Sequence, residues 1–301
     1  MSNSIIDDIK FNLKTGNNVL RFLIINSGIF ILLGLLSLFD NLFKLGGLLQ
    51  FHDYFTFPSS LVWWLRKPWS LLTYMFLHRD LFHLLGNMLM LYFGGRIFTD
   101  FLGNQRIVAL YFGGGIAGAL LYMLLYNTIP MFADAGLNAN LIGSSAAVLA
   151  IFFAIASYLP NYEVSLILIG PVRLKYIALF LFILDLLSID KSNPGGHIAH
   201  IGGALFGIAY ATGLRKGYDF TSSFNKMINK LGNLFSQSSK NKASNMKVAY
   251  KQAETQKAKA AKVAKNKQEI IDAILDKISK SGYDSLTKEE QETIFKMSKE
   301  D

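Results

Sequence analysis

Cysteine is absent from all 301 residues, which excludes disulfide staples and thiolate-held zinc or iron–sulfur centres. Charge is scarce: 17% of the residues are Asp, Glu, Lys or Arg, while 51% are hydrophobic. An ordinary soluble domain is more polar than this, so the composition points to a membrane protein. The glycine run Gly113-Gly114-Gly115 with Gly118 has no following Lys-Ser/Thr pair, which excludes a phosphate-binding loop and leaves a packing face. The first apolar stretch lacks the small-residue cleavage pattern of a secretory signal and is read as a retained span. Nothing in the chain calls for a metal or another cofactor.

What is there is a series of apolar stretches near the ~20 residues needed to cross a bilayer. Six are legible: Leu20–Phe39, Leu71–Phe98, Ile107–Tyr126, Ile142–Leu159, Tyr176–Leu187 and His197–Leu214. The fifth is short, and an earlier start inside Val164–Leu174 is an alternative, although Gly170, Pro171 and Arg173 interrupt that segment. The expected fold class is therefore an all-α membrane protein of six spans.

Lys and Arg in short loops mark the cytoplasmic side. Arg96 and Arg106, Arg173 and Lys175, and Arg215 and Lys216 lie at alternate connections, whereas the Asn127–Leu141 loop has neither residue type. Both termini are placed in the cytoplasm and the 127–141 loop outside, against the counter-signal of Lys44, Arg66 and Lys67 in the long first loop. His78, His83 and Asn87, Ser144 and Ser145, and His197 and His200 then fall at a similar outer depth from three separate segments.

Polar groups at membrane depth are costly unless they meet partners or line a water-filled cavity. Each has a plain structural reading. Ser145 in Gly143-Ser144-Ser145-Ala146 suits a small-residue packing face; alternatively it is a nucleophile at a helix N-terminus, where free N–H groups stabilise an oxyanion. His200 is either a hydrogen-bonded core histidine or the general base that a serine nucleophile needs. It begins the face HIGGALFG, whose small residues let that helix approach another closely; if the other is the fourth, His200 reaches Ser145. His83 and Asn87 share a face at i,i+4 spacing, as an interhelical pair or as oxyanion donors. Asp185 in the fifth stretch is a partnered polar group near a helix end or part of a proton relay.

Together, His83-xxx-Asn87, the Gly-x-Ser of GSSA and AHIGGALFG, in this order, resemble the rhomboid intramembrane serine proteases over roughly Leu20 to Lys216. The resemblance implies a six-helix bundle with a cavity opening outward, in a bacterial cytoplasmic membrane. It makes Ser145 the nucleophile and His200 its base, a dyad with no third carboxylate. The oxyanion hole would consist of His83, Asn87 and the Ser145 backbone N–H, with His197 and Gly143 as supporting neighbours. The substrates implied are transmembrane segments of other proteins, cut near the outer face. Three positions depart from the common pattern: Ala146 where many relatives have Gly, Leu149 where many have an aromatic packed on the histidine, and Trp69-Ser70 where a Trp-Arg pair is common.

Residues 1–19 are read as a cytoplasmic segment, 20–216 as the protease domain, 217–267 as a Lys/Ala/Gln-rich linker or exposed helix, and 268–301 as a small helical hairpin. The Lys-rich part, Lys240–Lys267, has Glu254 as its one acidic residue and suits contact with anionic lipid. It has no Arg and almost no aromatics, which argues against nucleic acid. Two rival functions stand beside the protease. One is a proteolytically silent rhomboid-like protein that binds membrane clients. The other is a proton-linked transporter using His83, His200 and Asp185, disfavoured because no inverted repeat of broken helices is visible.

Overall fold

The computed structural model describes residues 16–46, 53–132, 139–166, 169–191, 193–221 and 224, with Ser279, Gly282, Thr287 and Glu289 as isolated positions beyond. The chain divides into two compact units, Met1–Ile228 and Asn229–Asp301. The expected C-terminal hairpin and most of the Lys-rich linker lie outside the described residues.

The first unit is predominantly helical. Helix α1 spans Asn18–Phe43, followed by strand β1 (Phe57–Pro58) and the short helices α2 (Leu61–Arg66) and α3 (Ser70–Thr73), the last running into a 3₁₀ turn at Tyr74–Phe76. The long helices α4 (Leu81–Leu102) and α5 (Arg106–Thr128) precede strand β2 (Asn140–Leu141) and helix α6 (Ser145–Tyr158). A hairpin of β3 (Glu163–Leu166) and β4 (Gly170–Arg173) leads into α7 (Leu174–Ser188), and α8 (Pro194–Arg215) closes the order. Three helices, α1, α4 and α5, are long and apolar enough to cross a membrane by length and composition.

Where these boundaries differ from the apolar stretches, local chemistry explains it. The stretch Leu71–Phe98 is not one helix. The chain leaves the 3₁₀ turn at Leu77 and restarts at Asp80, whose carboxylate accepts the His83 N–H at 2.8 Å as an N-cap. The Val164–Leu174 segment forms the β3–β4 hairpin, with Glu163 opposite Arg173, so it is not the start of the fifth helix. A second antiparallel pair, β1 with β2, joins Phe57 to Leu141 in register. The all-α expectation is thus modified by two small two-stranded pairs.

Helix α6 is the centre of the bundle. Every residue from Ala146 to Ala156 is buried, as befits a helix that is apolar all round. Its 14 residues rise only about 21 Å, against the ~30 Å of a hydrocarbon core. Gly118 of α5 stands level with Ala146, and α5 continues to Thr128, about 15 Å further along its axis. The N-terminus of α6 is therefore sunk well below the end of its neighbour.

Missing side chains bring α5, α6 and α8 together. A Cβ on Gly203 would strike the Ala146 carbonyl oxygen, and one on Gly207 the Ala150 carbonyl oxygen. A Cβ on Gly118 would lie 2.6 Å from the Ala199 carbonyl oxygen and 2.7 Å from the Ala146 Cβ. Such approaches are the small-residue packing that drives helix association in lipid. The outward faces of α1 and α4 carry exposed Ile31, Leu35, Phe82 and Leu89, the expected surface where the solvent is acyl chain.

Replacing Gly203 or Gly207 by Val is expected to destabilise the bundle by about 3 kcal/mol or more, because the obstacle is backbone and cannot move aside. Gly34→Ala, with nothing within 4 Å of the new methyl, is expected to be neutral or stabilising by up to about 1 kcal/mol. Thermal unfolding of the detergent-solubilised protein checks both.

Candidate functional site

The glycine contacts of α8 against α6 fix the relation of two side chains. His200 lies one turn before Gly203 on α8, and Ser145 opens α6, one residue before Ala146. At that separation His200 Nε2 stands 2.7 Å from Ser145 Oγ. Ser145 is at the first turn of α6, so its backbone N–H has no intrahelical acceptor and faces the positive end of the helix dipole.

The segment before Ser145 is held from two sides. The Gly143 N–H donates to the Tyr74 carbonyl at 3.0 Å, and Gly143 has φ +124°, where L side chains are strained. A Cβ there would also lie 2.9 Å from both Cε1 and Nε2 of His83. The His83 ring is thus packed against the glycine that precedes the serine pair. One turn on, Asn87 is 8% exposed, and its Nδ2 has no hydrogen-bond partner among the described residues. A buried amide donor without an acceptor is costly, and such a group fits a role toward something that arrives.

The two serines diverge. Ser144 is fully buried and its Oγ meets His78 Nε2 at 3.1 Å. His78, placed by the sequence only at the outer depth, is buried in the interior. The Tyr111 hydroxyl donates to the Met75 carbonyl at 3.0 Å and accepts from Asn26 Nδ2 at 3.1 Å. Only Ser145 opens onto a cavity of about 180 Å³, lined by His83 and His200 together with Arg79, Asp80, Ile142 and Asn193. A larger recess of about 340 Å³ lies at the far end of α4, around Arg96, Thr99 and Asp100, and none of the residues predicted for the site lines it.

The structure departs from the implied dyad without a carboxylate. Asp185 of α7 places Oδ1 at 2.8 Å from His200 Nδ1, and the same oxygen lies 2.8 Å from His197 Nδ1. His197 and His200, three residues apart on one helix face, thus share one carboxylate oxygen. Asp185, His197 and His200 are the group among the described residues with the composition of a metal site. Their N···O separations of 2.8 Å are nevertheless those of hydrogen bonds, whereas adjacent ligands around a tetrahedral zinc stand about 3.3 Å apart.

Comparison with known proteins gives the family of the domain that carries these residues. The Rhomboid domain family matches residues 65–217, half of the chain, and spans every residue just described except Asn26. The chain belongs to the rhomboid family. A second match, residues 257–300, is to a family of unknown function, DUF6576. Among curated relatives, RHOMBOID-like protein 12, mitochondrial, of Arabidopsis thaliana is 28% identical over 209 residues, covering 66% of this chain and 59% of that protein. Presenilin-associated rhomboid-like protein, mitochondrial, of Mus musculus is 30% identical over 171 residues, covering 53% of this chain and 41% of that protein. Inactive RHOMBOID-like protein 8 of Arabidopsis thaliana is 37% identical over a shorter 85 residues, 28% of this chain and 24% of that protein. The chain therefore spans less than two thirds of each relative. The relatives' names lend no support to a bacterial membrane for this chain; what it shares with them is the membrane-embedded rhomboid domain.

Within that domain the departures have local explanations. The extra methyl of Ala146 is accommodated because its neighbour Gly118 has no Cβ. Leu149 is buried and offers no ring to the histidine, while Asp185 contacts that histidine from another helix. Ser70, in place of a common Arg, is buried in the first turn of α3. The serine pair gives a direct test. Ser144→Ala strips His78 Nε2 of its partner and is expected to cost about 1–3 kcal/mol. Ser145→Ala is expected to cost under about 1 kcal/mol, since its hydroxyl borders a cavity. Thermal unfolding of the two variants side by side checks the contrast.

Proposed function

We propose that the chain is an intramembrane serine endopeptidase that cuts transmembrane segments of other membrane proteins. The observation that carries this reading is the 2.7 Å contact of Ser145 Oγ with His200 Nε2 at the sunken N-terminus of α6, in a chain of the rhomboid family. A serine hydroxyl is a poor nucleophile alone; a histidine lone pair at hydrogen-bond distance removes its proton as Oγ bonds the scissile carbonyl carbon. The carbonyl oxygen becomes an oxyanion, for which the Ser145 N–H, His83 and Asn87 Nδ2 are the donors. His200 then returns the proton to the leaving amine, and a water molecule, activated by the same nitrogen, hydrolyses the acyl-enzyme.

The depth of Ser145 supports a membrane segment as the substrate. A peptide bond within a helix is shielded by its own hydrogen bonds, so a substrate must unwind locally before attack. A polar cavity below the level of the neighbouring helix ends supplies partners to backbone groups freed by that unwinding. In this reading α1, α4, α5, α6, α7 and α8 are six spans, and both termini lie on the side of the basic connections. The site opens on the opposite side, and the Lys-rich tail rests near anionic lipid.

A second reading is a silent rhomboid-like client-binding protein. What favours it is the similarity to a relative named inactive, together with Ala146 and Leu149. The two readings part at Ser145. In native membranes, a fluorophosphonate probe is expected to label the wild type and neither Ser145→Ala nor His200→Ala. Asn87→Ala is expected to slow labelling by about 10²-fold, as for loss of one oxyanion donor. No labelling of a folded wild type would favour the silent protein.

A further inference from the structure

The Ser145–His200 pair has a neighbour that the implied dyad does not use. Asp185 comes from α7, twelve residues before His197 and fifteen before His200, yet its Oδ1 is 2.8 Å from the Nδ1 atoms of both. The carboxyl is 13% exposed and the two imidazoles 23% and 22%. These are largely sheltered contacts, on the face of His200 opposite Ser145.

Building on the protease reading, we propose that Asp185 is a positioning residue that sets the tautomer and orientation of His200, and that His197 pins Asp185 in place. A carboxylate has no proton to donate, so a hydrogen bond to it requires Nδ1–H on each histidine. With the proton on Nδ1, neutral His200 has its lone pair on Nε2, where it accepts the Ser145 hydroxyl proton. When that proton is taken, the imidazolium carries its charge beside the carboxylate, which stabilises it without itself becoming protonated. A tilted ring would lose the 2.7 Å contact to Oγ; a bond at each nitrogen leaves it little rotation.

The ring contact that His200 makes among the described residues is edge-on, with the His197 ring at 5.8 Å between centroids, and not a stacked one. Position 149, one turn into α6 from the serine, holds the aliphatic Leu149, which presents no flat face against which an imidazole could be stacked. His197 completes the arrangement from the other side. It contributes a second N–H to the same oxygen, so rotation of the Asp185 side chain breaks two bonds at once.

The test is the kinetics of fluorophosphonate labelling with the full-length protein in detergent, measured as a function of probe concentration. The labelled endpoint counts competent folded molecules, the maximal rate reports activation of the serine, and the half-saturating concentration reports probe binding. Asp185→Ala is expected to keep its endpoint and half-saturating concentration while its maximal rate falls by about 10²-fold or more. The isosteric Asp185→Asn, which keeps an acceptor but no charge, is expected to fall between Asp185→Ala and wild type. His197→Ala is expected to fall less than Asp185→Ala. A maximal rate for Asp185→Ala within about threefold of wild type would overturn the assignment. So would a loss confined to the endpoint in both Asp185 variants, which would mark the carboxylate as a support of the fold alone. A folded wild type that never labels is a different failure: it removes the protease reading first, and this inference with it.

Discussion

Everything at the site depends on how closely α8 can approach α6. Gly203 and Gly207 rest on the carbonyl oxygens of Ala146 and Ala150, where no side chain of any size could be inserted. In lipid, helices gain little from hiding apolar surface, because the solvent is as apolar as they are. What holds them is contact area at short range, and glycine allows the shortest. The same contact that stabilises the bundle also sets the distance between His200 Nε2 and Ser145 Oγ, since the two residues each lie within one turn of it. Gly114 and Gly118 of α5 extend the arrangement to a third helix: a Cβ on Gly114 would meet that of Ala150. The extra methyl of Ala146 is compatible with the site only because of that third partner.

Close packing by itself would make an inert apolar core. The polar residues that interrupt it fall into two groups, separated by what their hydrogen bonds do. Asn26, Tyr111, Ser144 and His78 find partners among themselves and on backbone carbonyls, and several are fully enclosed. Through these bonds they tie the 3₁₀ turn to the segment before α6. Asn87 differs from these four: it stands one turn from His83, and its buried amide nitrogen is among the side-chain atoms that meet no partner among the described residues. An unsatisfied donor in a low dielectric is a standing cost. That cost is offset if the acceptor is the oxygen of a reacting carbonyl, whose negative charge grows in the transition state.

Much of this could be read in the chain. The apolar stretches locate the long helices to within a few residues at most ends, as with Ile107–Tyr126 against Arg106–Thr128. The small-residue face starting at His200 follows from spacing alone and says that this helix packs closely on another; that the other is α6 comes from the structure. Three features were not legible, each for a physical reason. The break between Leu77 and Asp80 falls at the polar His78-Arg79-Asp80, flanked by apolar residues that continue on both sides as if one helix; Asp80 was the cap that could have marked it. The β3–β4 hairpin replaces an apolar run whose Gly170 and Pro171 were the warning. The contact of Asp185 with His200 joins two helices whose rotation about their axes is set by packing, and periodicity does not carry that information.

The placement of Asp185 has an energetic consequence of its own. It lies near the C-terminal end of α7, three residues before Ser188, where the helix dipole is negative and a carboxylate is disfavoured. Removal from water adds to that cost. Two N–H donors on a single oxygen offset both, so the carboxylate and the two histidines are stable only as a set. The set also limits how His200 can move. With Nδ1 engaged and Nε2 directed at Ser145, His200 is held in one orientation; under the proposed protease reading, a peptide entering the cavity would meet a serine already bonded to its base. Rotational freedom that a reaction would otherwise have to remove is removed in advance by folding, and the glycine contacts that bring α8 onto α6 hold the geometry in which this is possible.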